Sequence, residues 1–131
     1  MEINNNIQES RCSLELSKLL KIKGFSMSFP CVCFIKSSAN PNGYESTTIY
    51  EADDKFHHIK RPTHALAIDW LMLNFGFYVF SDPVYDFSSW TPRIVKKGDL
   101  NHHGYYKGIL EFPSSSEALE AGLIHILKKL K

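Results

Sequence analysis

The sequence predicts an α+β fold in which a mostly antiparallel sheet is backed by three helices, in the order α-β-β-α-β-β-β-α. Three observations lead there. Two apolar stretches with helical spacing each end on Gly-Phe, at Gly24-Phe25 and Gly76-Phe77, and a glycine just past a helix supplies the left-handed residue that closes it. A third helix is spelled by Ser114 and Glu117, a capping box behind Pro113, followed by the stripe Leu119, Gly122, Leu123, Ile126, Leu127 and Leu130. Between these helices the apolar residues alternate or cluster as strands do.

Taken in order, residues 1–10 (MEINNNIQES) read as a flexible tail, because Asn-rich polar sequence has nothing to bury. Residues 11–131 form a single α+β domain. The first helix spans 13–23, capped by Ser13 or Cys12, with Leu16, Leu19 and Leu20 on one face. From 25 to 35 every odd position is apolar while Ser26 and Ser28 are polar, the alternation of a half-buried strand. Pro30 restricts that strand to an edge or to a start beyond it. Asn40-Pro41-Asn42-Gly43 spells a turn, and a short β-branched strand returns over 47–51. Residues 52–61 then read as a polar connection.

The second helix, THALAIDWLMLNFGF over 63–77, is the pivot of the expected fold. Pro62 keeps Arg61 out of helical geometry and Thr63 can cap the first turn. Only His64, Asp69 and Asn74 are polar, so the helix is expected to be a buried rod in the middle of the molecule. Residues 77–81 carry large side chains on both faces and predict a central strand that ends at Asp82-Pro83. A strand over 93–97, the turn KKGDLNHHG and a last strand over 105–112 follow, with Gly108 marking a bulge or a close approach. In the final helix, Gly122 would let the backbone lie close to the sheet, and Lys128, Lys129 and Lys131 suit its carbonyl end.

The totals narrow the functional classes. A chain of 131 residues suits one domain. Its net charge of +1 gives no broad field to draw phosphate backbones, which disfavours nucleic acid as a partner. The N-terminus lacks a secretory pattern, and no apolar run is long enough for a bilayer, so no membrane association is expected. Cys31 and Cys33 are too close along a strand to pair easily, which points to free thiols and a cytoplasmic setting.

SLELSKLLKIKGF (13–25) and PSSSEALEAGLIHILKKLK (113–131) resemble the terminal helices of small uncharacterised proteins carried by bacterial prophages and other mobile elements. That resemblance implies an accessory protein and carries no catalytic or binding residue with it.

No catalytic motif is present, so the chain reads as a binding module without a cofactor rather than an enzyme. The candidate binding residues are Tyr78, Tyr85, Trp90 and Tyr105. With 9 Phe, 6 Tyr and 2 Trp, some rings must stand on a second sheet face, where they would engage a protein partner or a second copy of the chain. An alternative is a metal-dependent hydrolase in which Asp53, His57 and either His102 or His103 hold zinc or another divalent ion. The plainer reading of those histidines is solvated loop. Cys31 and Cys33 would share a strand face, but a thiolate site wants a second pair and Cys12 stands alone, so burial as small apolar residues is the simpler role. A third reading joins Lys55, Lys60, Arg61, Arg93, Lys96, Lys97 and Lys107 into a groove for single-stranded nucleic acid. Asp53, Asp54, Asp82, Asp86 and Asp99 interleave with that set and would repel phosphate.

Overall fold

The computed structural model describes residues 10–37, 43–52, 57–84, 87–98 and 111–130. Its elements are α1 (Leu14–Ile22), β1 (Cys31–Lys36), β2 (Tyr44–Ile49), β3 (His58–Lys60), α2 (His64–Phe75), β4 (Phe77–Val84), β5 (Ser89–Lys96) and α3 (Ser115–Lys129). The class is α+β as expected, but the order is α-β-β-β-α-β-β-α and the strands form two antiparallel sheets, β2-β1-β3 and β4-β5. β3 lies inside the stretch read as a polar connection. Of its three residues only Ile59 is buried, and one inward side chain leaves too little alternation to mark a strand. The strand expected over 105–112 falls mostly outside the described residues. Phe112 does exchange two backbone hydrogen bonds of 2.8 Å with Trp90.

Local chemistry sets the helix ends where the sequence placed them. Ser13 accepts from the Leu16 N–H, Thr63 from Leu66 and Ser114 from Glu117, each satisfying a donor of the first turn. Gly76 closes α2 at φ 75°, a conformation that strains a residue with a Cβ. β1 begins directly after Pro30 and pairs with β2 on one side and β3 on the other. β4 runs through Asp82-Pro83 instead of stopping there, with Pro83 opposite Trp90. Nor is β4 central: among the described residues it pairs with β5 alone, and a strand free on one side tolerates proline.

α3 packs across β4 and β5 and also touches α1 and α2. A Cβ on Gly122 would lie 2.9 Å from Val79 Cγ1 and 3.1 Å from Pro92 Cβ, so the missing side chain is what permits this approach. The core gathers Leu16 and Leu20 of α1, Ala67, Ile68 and Leu71 of α2, Val79 and Ile94 of the sheet, and Leu123, Ile126 and Leu127 of α3.

The expected buried rod is corrected by this packing. α2 turns His64, Ala67, Ile68 and Leu71 inward, whereas Leu66, Met72 and Leu73 are exposed. The helix covers one side of the core and, among the described residues, is itself uncovered on the other. The chain ahead of α1 is also tied down earlier than expected: Cys12 N–H donates to Pro62 O and His64 N–H to Ser10 O, both at 3.0 Å. Ser10 therefore belongs to the fold and not to the tail.

Candidate functional site

Two features stand out, a buried polar cluster and an open apolar groove. The cluster is built on His64, the first residue of α2, whose inward position brings an imidazole into the core at 4% exposure. Its Nδ1 lies 2.7 Å from Ser10 Oγ and its Nε2 lies 2.9 Å from Glu120 Oε1. Glu120 also accepts from the Ser13 N–H at 3.0 Å and the Ser13 hydroxyl at 2.5 Å. Burial works to raise the Glu120 carboxyl, but the hydrogen bonds from His64 and Ser13 outweigh it and hold the group below its ordinary value.

Serine, histidine and glutamate in a hydrogen-bonded row have the composition of a nucleophilic relay. The geometry serves another purpose. The serine sits on Nδ1 rather than Nε2, the imidazole is nearly sealed from solvent, and the carboxylate is shared with the backbone and hydroxyl that open α1. The cluster ties the starts of α1 and α2 to the middle of α3, with each polar atom answered by another.

The thiols are equally inward. Cys31 and Cys33 share a face with Sγ atoms 3.4 Å apart, and all three cysteines are free and buried. Burial, then the hydrogen bond that the Cys33 thiol makes with Cys31, pushes the Cys33 thiol up to about 12, and burial with the nearby Glu120 charge does the same for Cys12. Thiols that keep their protons make poor ligands and nucleophiles. Of the histidine–carboxylate set, His57 is exposed just ahead of β3, while Asp53, His102 and His103 lie outside the described residues. Among the described residues no three metal-ligating side chains come together.

Of the four aromatic candidates, the two among the described residues, Tyr78 and Trp90, lie apart. Tyr78 stands opposite Val95 and is 44% exposed, whereas Trp90 stands opposite Pro83, on the same face of β5 as the buried Pro92 and Ile94. Alternation thus places the two rings on opposite faces of the sheet. Tyr85 and Tyr105 lie outside the described residues. Tyr78 instead stacks on Phe80 at 6.0 Å. Among the described residues, basic side chains of the proposed groove are turned to other partners: Lys60 donates to Met27 O, Arg61 to Cys12 O, and Arg93 pairs with Asp82 at 3.3 Å. Lys55 and Lys107 are outside the described residues.

A groove of about 490 Å³ is open to solvent where the end of α2 meets the β4–β5 sheet. Met72, Leu73, Gly76, Tyr78 and Val95 line it, with Lys96 and Lys97 at its rim. Leu73 is 81% exposed.

No protein-family model, curated protein or solved structure matches the chain. The groove therefore has to be read from its own geometry. Sequence reasoning missed Leu66, Met72 and Leu73 as surface residues because a helix apolar on every side carries no periodicity to say which side faces out. Asp69 was the available signal, since charge seldom points into a core.

Proposed function

We propose that this protein is a small protein-interaction or accessory module, of the mobile-element type its terminal helices resemble, which engages a protein partner through the outer face of α2 and the adjoining end of β4–β5. The observation that carries this reading is Leu73, 81% exposed between Met72 and Tyr78. Burying one such leucine is worth about 1.5–3 kcal/mol, so a cluster of them left open holds binding energy in reserve. Contiguous apolar surface rimmed by charge is the usual form of a docking site. Tyr78 keeps its place in the candidate set, while Trp90 belongs to the other face of the sheet. Three free thiols suit a reducing compartment, so a cytoplasmic setting is part of the proposal.

The test is a photo-crosslinking residue placed at position 73, with the exposed Lys36 as control site. Irradiation in cells is expected to yield a discrete adduct from position 73 and none from 36. Absence of any adduct specific to position 73 would overturn the reading.

A further inference from the structure

We infer that the occupant of the α2 face is a second copy of this chain, docked antiparallel about a two-fold axis that passes near Leu73. This rests on the binding-module reading above and names its partner. At about 100° per residue, Leu66, Asp69 and Leu73 fall within a sector of about 60° on the side of α2 opposite its buried stripe. Asp69 is exposed, and so are Lys96 and Lys97 at the far end of the same surface. Among the described residues none of the three enters an ion pair.

The spacing makes these charges self-complementary. Asp69 precedes Leu73 by four residues, about 6 Å along the axis, and Gly76 follows it by three, about 4.5 Å. Lys97 is fixed at that end because its N–H donates to Gly76 O at 2.7 Å. A two-fold through Leu73 exchanges the two ends, so that Asp69 of each copy meets Lys97 of the other. The same rotation carries Leu66, about 10.5 Å from Leu73, past the partner's helix end and into the groove beside Tyr78 and Val95. An isologous contact of this kind needs one surface that complements itself, with apolar residues at the axis and opposite charges on either side. A single twelve-residue helix makes a small interface, which sets the association in the weak, reversible class.

Sedimentation equilibrium of the full chain from about 1 μM to about 1 mM covers that class. The wild type is expected to move from monomer to dimer across the range. Asp69→Lys and Lys97→Asp, each alone, set like charges against each other at both ends of the contact and are expected to weaken the dimer by roughly tenfold. An equimolar mixture of the two variants is expected to recover dimer, since opposite charges then meet at both ends. A wild type that stays monomeric throughout overturns the inference, as does a mixture that recovers nothing. If position 73 still crosslinks to a different protein, the second-copy inference alone has failed. If it crosslinks to nothing, the binding-module reading has failed with it.

Discussion

At Gly122 two opposing effects have to be weighed. Alanine there would favour the helix over glycine by about 1 kcal/mol. Its methyl group, however, would stand 2.9 Å from Val79 Cγ1 and 3.1 Å from Pro92 Cβ. Val79 is fully buried and Pro92 is rigid, so neither neighbour can give way freely, and overpacking of this kind costs about 1–3 kcal/mol. Gly122→Ala is therefore expected to lower stability by roughly 1 kcal/mol in urea unfolding, and Gly122→Leu by several times as much. A Gly122→Ala variant more stable than wild type would show that α3 can shift off the sheet without loss. The role of this glycine was legible in the sequence because a small residue in an apolar stripe has few other uses. His64 was not legible in the same way: its partners Ser10 and Glu120 lie 54 and 56 residues away, and nothing local names them.

For the elements, local chemistry and tertiary packing divide cleanly. The caps at Ser13, Thr63, Gly76 and Ser114 could be read in advance because each depends on a few neighbouring residues. The side of α2 that faces the core, the short β3 and the split into two sheets depend on distant partners and could not. α2 offers the sharpest test, since Leu71 and Leu73 are two residues apart in one helix with opposite surroundings. Leu71 is fully buried, so Leu71→Ala is expected to cost about 2–5 kcal/mol. Leu73→Lys replaces a side chain that is 81% exposed and is expected to change monomer stability by no more than about 0.5 kcal/mol. Equal losses in thermal unfolding of the two variants would mean that α2 is covered on both sides, as its composition alone suggested.

Over the whole molecule, the Ser10–His64–Glu120–Ser13 cluster is where three helices and the N-terminal segment are held to one another. It also links the fold to pH. The Glu120 carboxyl is held below its ordinary value, so its ionised form stabilises the folded state. That contribution is fully present above the unfolded-state value and is lost as pH falls through the lower folded-state value. Glu120→Gln keeps the shape but removes the charge, and is expected to cost about 1–3 kcal/mol at pH 7. The gap between wild type and variant should then close in urea titrations taken at successively lower pH, because the protonated glutamate becomes as neutral as the glutamine. A gap that stays constant down to the acid limit would mean that Glu120 holds the helices by shape and hydrogen bonding alone, with no contribution from its charge.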